Sequence, residues 1–96
     1  MKNLKSIFIT GAAGGMGRST AKLFLEKNWF VGCFDNNKEN LLELENELGN
    51  ENIIYDVLDV TNKENFQECI NNFSLKSEEK LDILFNNAGI TEGGFF

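Results

Sequence analysis

The 96-residue sequence predicts an α/β chain: a doubly wound parallel sheet in strand order 3-2-1-4, with helices on both faces. Three observations predict it. Apolar runs of strand length alternate with segments of helical periodicity, three times over. Two of those runs, Trp29–Asp35 and Leu81–Asn86, are nearly unbroken in apolar residues, as strands buried on both faces are. A glycine-rich turn, Thr10-Gly11-Ala12-Ala13-Gly14-Gly15-Met16-Gly17, joins the first run to the first helical segment. Right-handed crossovers then put the first two helices on one face of the sheet and the third on the other.

Each element has its own signal. The first strand is Ser6–Thr10. The first helix runs from Gly15 to Lys27, with Met16, Ala21, Phe24 and Leu25 near one face and Asn28 as a left-handed stop. The second strand, Trp29–Asp35, ends on its one acid. The second helix, Lys38–Leu48, repeats Leu41, Leu44 and Leu48 at helical spacing and stops at Gly49. The third strand is Asn52–Val57. The third helix starts at Thr61, where Thr61-Asn62-Lys63-Glu64 has the spacing of a capping box. Its stripe is Phe66, Cys69, Ile70 and Phe73, read as core. The fourth strand is Leu81–Asn86.

Composition narrows the function classes. A formal net charge of −6 argues against nucleic acid or an anionic membrane as a partner, because both need basic patches. No apolar run approaches the ~20 residues of a membrane span, and no signal peptide is readable. The chain contains no histidine, which removes the usual zinc sites and any Ser–His or Cys–His catalysis. Cys33 and Cys69 have no metal-ligand spacing and do not form a disulfide framework. Buried thiols in a reducing cytoplasm are the expectation.

Four features fall at carboxyl ends of the expected strands, where one ligand could touch all of them. The first is the turn. Gly11 lets the chain leave the strand tightly. Gly15, or Gly14 in another register, leaves no Cβ between the backbone and a pyrophosphate. Gly17 lets the helix pack close to the strand. The helix start adds unpaired N–H groups and a positive dipole end. The candidate contacts are Gly11, Ala13, Gly14, Gly15, Met16 and Gly17. The second feature is Asp35, at the spacing of a ribose-binding acid; a turn or helix-cap role fits the same residue. Its carboxylate would accept from both adenosine ribose hydroxyls and repel a 2′-phosphate. Asn36 and Asn37 supply no cation for that phosphate, so NAD is expected over NADP. The third is Asp59-Val60: Val60 could cover an adenine face and Asp59 accept from its amine, or the pair could simply form a turn. The fourth is Asn86-Asn87-Ala88-Gly89. Its small residues, Ala88 and Gly89, let a chain pass close to a ribose, and its asparagines, Asn87 among them, can tie strand ends together.

Together these residues resemble the N-terminal part of the short-chain dehydrogenase/reductase family. Thr10, Gly11, Gly15 and Gly17 match its Thr-Gly-x-x-x-Gly-x-Gly motif, and Asn86 to Gly89 match Asn-Asn-Ala-Gly in full. Asp35 and Asp59-Val60 match further positions. Gly11, Gly14 and Gly17 also fit the spacing of the extended, sugar-nucleotide-modifying branch, whereas Asn-Asn-Ala-Gly favours the short branch that handles alcohols and ketones. The resemblance implies a Rossmann-type NAD(P)-binding fold and hydride transfer between nicotinamide and a secondary alcohol or carbonyl. It also implies a serine after a fifth strand and a later Tyr-x-x-x-Lys as catalytic groups. Residues 1–96 read as the N-terminal part of one such domain, with the catalytic part absent. The one tyrosine, Tyr55, has Asp59 rather than lysine four residues on, so no catalytic residue is assigned. A catalytically inactive nucleotide-binding module is the alternative. The open side of the fourth strand is expected to seek a partner, self-association included.

Overall fold

The computed structural model describes residues 4–77 and 81–86. In chain order the elements are β1 (Ser6–Thr10), α1 (Gly15–Glu26), β2 (Phe30–Asp35), α2 (Lys38–Leu48), β3 (Ile53–Val57), α3 (Lys63–Lys76) and β4 (Ile83–Asn86). The strands form one parallel sheet in the order β3-β2-β1-β4, as the sequence predicts. Register is set at the centre: Ile7 lies between Val31 and Ile83, and Ile9 between Cys33 and Phe85.

Alternation along the strands divides the core in two. Ile7, Ile9, Val31, Cys33 and Ile53 join Ala21 of α1 and Leu41 and Leu44 of α2 in one cluster. Phe8, Phe30 and Phe34 join Cys69 and Phe73 of α3, with Leu58, in the other. Helices α1 and α2 therefore cover one face and α3 the opposite one, as right-handed crossovers require. The first cluster is largely aliphatic. The second is built of rings: Phe8 stacks on Phe34 at 4.1 Å, and Phe73 meets Phe8 edge-on at 5.3 Å.

Helix ends follow local chemistry. Asn28 and Gly49 take positive φ, 66° and 81°, just past α1 and α2. Both were expected as stops. The start of α3 differs from expectation. Its N-cap is Asn62, whose side chain accepts from the Asn65 N–H, so no capping box forms at Thr61. Thr61 instead donates its amide and hydroxyl to Asp59 Oδ1, at 3.0 and 2.6 Å. That turn consumes Thr61 and leaves the cap to its neighbour. Met16, expected on the apolar stripe of α1, is 66% exposed; Gly17 and Ala21 are the buried residues of that helix.

Strand burial also departs from the reading of β4. The central strand β1 is buried at every position and β2 at all but its last. In β4, Ile83 and Leu84 are exposed despite the apolar run, because only β1 pairs with it among the described strands. Its attachment is polar at the amino end. Asp82 Oδ2 accepts from the Ser6 N–H at 2.8 Å, and the Asp82 N–H donates to the Ser6 carbonyl at 3.1 Å.

Gly32, which the sequence reading passed over, is fixed by the ring cluster. A Cβ there would stand 2.6 Å from Phe73 Cδ1 and 2.7 Å from Phe34 Cε2. Both rings are fully enclosed, so neither has room to withdraw. Gly32→Ala is expected to lose about 1–3 kcal/mol of stability, the range for overpacking a filled core. Urea unfolding of the variant beside the parent chain checks it, and an unchanged midpoint would contradict this packing.

Candidate functional site

The carboxyl ends of β1, β2 and β3 come together around Asp35. The Ala12 N–H donates to the Phe34 carbonyl at 3.1 Å, docking the glycine turn on the end of β2. One residue on, the Ala13 N–H donates to Asp35 Oδ2 at 3.0 Å. The other carboxylate oxygen, Oδ1, accepts from the Asn37 N–H at 3.0 Å, and Asn37 is the N-cap of α2. The Asp35 carbonyl accepts from the Leu58 N–H at 2.9 Å, which draws in the segment after β3. One residue thus binds the turn, the entry of α2 and the exit of β3.

The turn itself is shaped by two glycines. Gly11 has φ 66°, a left-handed conformation that side chains resist. Gly17 sits in the first turn of α1, where a Cβ would lie 2.3 Å from the Gly11 carbonyl oxygen and 2.8 Å from Ala12 Cα. Those are backbone atoms and have no freedom to give. Gly15 is different: no atom lies within 4 Å of where its Cβ would stand. The fold therefore does not need glycine at 15, and the space beside it is open. Gly14, the N-cap of α1, supplies no side-chain cap, so the first N–H groups of the helix face outward without one. Open space, uncapped N–H groups and a helix N-terminus together suit a diphosphate.

The outer residues sit where the sequence places them. Asp59 is exposed after β3, and Thr61 holds its carboxyl below the usual carboxylate range, first by its hydroxyl and then by its amide. Its own N–H donates to Asn65 Oδ1 at 2.8 Å. Both the turn and an acceptor at the carboxyl edge are therefore present. Val60 is half-buried against the ring cluster. Asn86 Oδ1 accepts from the Thr10 hydroxyl at 2.8 Å, tying the ends of β4 and β1 as expected of that asparagine. Asn87, Ala88 and Gly89 lie outside the described residues.

Other reactive groups stand apart from this edge. The Tyr55 hydroxyl donates to the Gly49 carbonyl at 2.6 Å, and burial, ahead of nearby Cys33, Glu45 and Glu47, pushes its pKa up. That is a structural role, as expected. Burial raises the Cys33 thiol to about 12. It raises Cys69 to about 11, with help from Asp56 and Glu68. No group of acids and cysteines among the described residues could hold a metal ion. A groove of about 410 Å³ runs along the outer edge of β3 past Tyr55, Asp56 and Leu75, away from the glycine turn. Asp56 guards that edge by accepting from the Val57 N–H at 2.9 Å.

Comparison with known proteins decides the family. The family model for short chain dehydrogenases matches residues 5–96. The chain belongs to the short-chain dehydrogenase/reductase family. It is 36% identical over 88 residues to secoisolariciresinol dehydrogenase of Forsythia intermedia, covering 92% of this chain and 31% of that one. A crystal structure of a short chain dehydrogenase from Bacillus anthracis superimposes with a TM-score of 0.82 at 32% identity, over 88% of this chain and 34% of that one. A 3-ketoacyl-(acyl-carrier-protein) reductase from Brucella melitensis, complexed with NADH, gives 0.76 at 26% identity, over 83% and 32%. The chain spans about a third of the length of the curated relatives it matches. No described helix is long and apolar enough to cross a membrane.

What sequence reasoning missed is the bond from Ala13 to Asp35. A carboxylate at a strand end gives no sign that a backbone amide 22 residues earlier will donate to it. The two glycines of the first helical turn divide as the sequence reading has them, Gly17 against backbone and Gly15 beside open space. Gly17→Ala is expected to cost about 1–3 kcal/mol, since its Cβ collides with backbone. Gly15→Ala is expected to leave stability within about 0.5 kcal/mol. Thermal melts of the two variants check the contrast; equal losses would contradict it.

Proposed function

We propose that this chain is the dinucleotide-binding part of an NAD-dependent oxidoreductase that moves hydride between nicotinamide and a secondary alcohol or carbonyl. The observation that carries the reading is the Asp35 carboxylate beside the glycine turn. Two of its lone-pair positions take the Ala13 and Asn37 N–H groups. The two that remain suit the adenosine ribose hydroxyls. A 2′-phosphate there would meet like charge.

The two residues that follow Asp35 supply no charge to relieve that repulsion. Asn36 and Asn37 are neutral. Arg18, the basic residue next to the turn, is paired with Glu47 in the last turn of α2. In a parallel sheet that helix runs back from the carboxyl edge, so the pairing draws Arg18 away from the adenosine end.

In this reading Gly11, Ala13, Gly14, Gly15, Met16 and Gly17 surround the diphosphate. Asp59 and Val60 flank the adenine, and Asn87, Ala88 and Gly89 lie beside the second ribose. The bound nicotinamide supplies the hydride chemistry; the residues present here bind and orient it. These 96 residues contain no Tyr-x-x-x-Lys, so the reading assigns no group in this chain to proton transfer. A reducing, cytoplasmic setting goes with the two buried thiols. Self-association through the open side of β4 goes with its exposed Ile83 and Leu84.

Calorimetric titration of the chain with NAD and NADP tests the reading. The expected outcome is tighter NAD binding, by about 1–3 kcal/mol, the cost of setting a 2′-phosphate against the carboxylate and losing its hydrogen bonds. Gly15→Val is expected to abolish binding of both while the chain stays folded. Equal or tighter NADP binding would overturn the role given to Asp35. Unchanged binding by Gly15→Val would make the turn structural only. Sedimentation of the same samples reads out self-association, and a monomer at all concentrations would remove that proposal.

A further inference from the structure

We propose that Asp35 is a positioning residue for the glycine turn as well as an acceptor for the ribose, so that one carboxylate couples the diphosphate cradle to the choice of cofactor. This rests on the dinucleotide reading above and deepens it. The ribose role alone would need only an acid at the end of β2. Here both carboxylate oxygens are already engaged with backbone, and on different elements: Oδ2 with Ala13 and Oδ1 with Asn37.

The two bonds are not equivalent. Ala13 is buried, and water has poor access to its N–H. Asn37 is exposed, and water can replace its partner. Removing the side chain therefore strands the Ala13 N–H, a buried donor without an acceptor. Ala13 immediately precedes Gly14, the N-cap of α1, and Gly15, beside which the space is open. Freed from Asp35, Ala13 is held only through its neighbours, by the Ala12 bond to Phe34 and the Gly14 bond to the Gly11 carbonyl within the turn itself. The N–H groups at the start of α1, which follows directly, would then no longer be preset for a diphosphate.

The consequence is specific. Replacing Asp35 to admit a 2′-phosphate would also loosen the diphosphate site, so NADP binding would gain little. Asp35→Asn and Asp35→Ala separate the two effects, because both remove the charge and only asparagine keeps an oxygen for Ala13. The probe is 2′,3′-dideoxyadenosine 5′-diphosphate, which carries the diphosphate and has no ribose hydroxyl for residue 35 to meet.

The expected result is that Asp35→Ala binds this probe about tenfold more weakly than Asp35→Asn, the loss of one hydrogen bond's worth of order in the turn. The Ala13 amide should likewise exchange its hydrogen about tenfold faster in Asp35→Ala, while amides of β1 are unchanged. Equal probe affinity and equal Ala13 exchange in the two variants would overturn the proposal. If Asp35→Ala does not fold, Asp35→Ser takes its place, since its oxygen is one bond short of Ala13. A parent chain that binds neither NAD nor the probe would instead sink the dinucleotide reading, and the proposal with it. Probe binding by the parent with no difference between variants sinks this proposal alone.

Discussion

Helix α1 passes over the turn that leaves β1 with no room for a side chain at Gly17: a Cβ there would stand 2.3 Å from the Gly11 carbonyl oxygen. This close approach determines the geometry of the carboxyl edge. It fixes where α1 begins, and so where its unpaired N–H groups lie. It keeps Ala12 within reach of the Phe34 carbonyl and Ala13 within reach of the Asp35 carboxylate. With a larger residue at 17 the helix would have to lift, and those two bonds would lengthen together. Gly15, two residues earlier, bears none of this constraint, which leaves the space beside it open for a ligand.

Away from that edge the sheet is asymmetric by face and by strand. The α1 and α2 side packs branched aliphatics, and the α3 side packs rings around Phe8 and Phe73. Ring packing is less forgiving, and it is what forbids a side chain at Gly32. Across the sheet, burial falls off from β1 towards both edges. At β3 an edge carboxylate, Asp56, occupies a backbone donor. At β4 the apolar side chains of Ile83 and Leu84 stand exposed. The two edges thus differ in chemistry: one is guarded by charge, the other presents apolar surface.

Much of this was legible in the sequence, for a physical reason. Strand order follows from the strand–helix rhythm and the handedness of crossovers, neither of which needs tertiary detail. Asn28 and Gly49 announced their helix ends because a left-handed residue is a local requirement. The start of α3 was harder: Thr61 and Asn62 are both good caps, and the choice was made by Asp59, which engages Thr61 first. Met16 was misplaced because a first-turn residue next to a glycine-rich loop has no facing element to pack on. The close packing at Gly17 was legible in the motif, but the choice between Gly14 and Gly15 as the residue bordering open space was not, because both registers fit the spacing and only the structure leaves position 15 clear. The Asp35 bond to Asn37 is the local turn its sequence position allows, but the bond from Ala13 was invisible, since that donor meets Asp35 only in the folded chain.

The account stands on the carboxyl edge being a single ligand site organised by Asp35. Amide chemical shifts of the chain titrated with NAD test this most directly. The predicted result is a contiguous set of saturating shifts at Gly11–Gly17, Asp35 and Asp59–Val60, with Tyr55 and the outer edge of β3 unmoved. Shifts centred on the β3 groove, or no saturating shifts at the glycine turn, would contradict it.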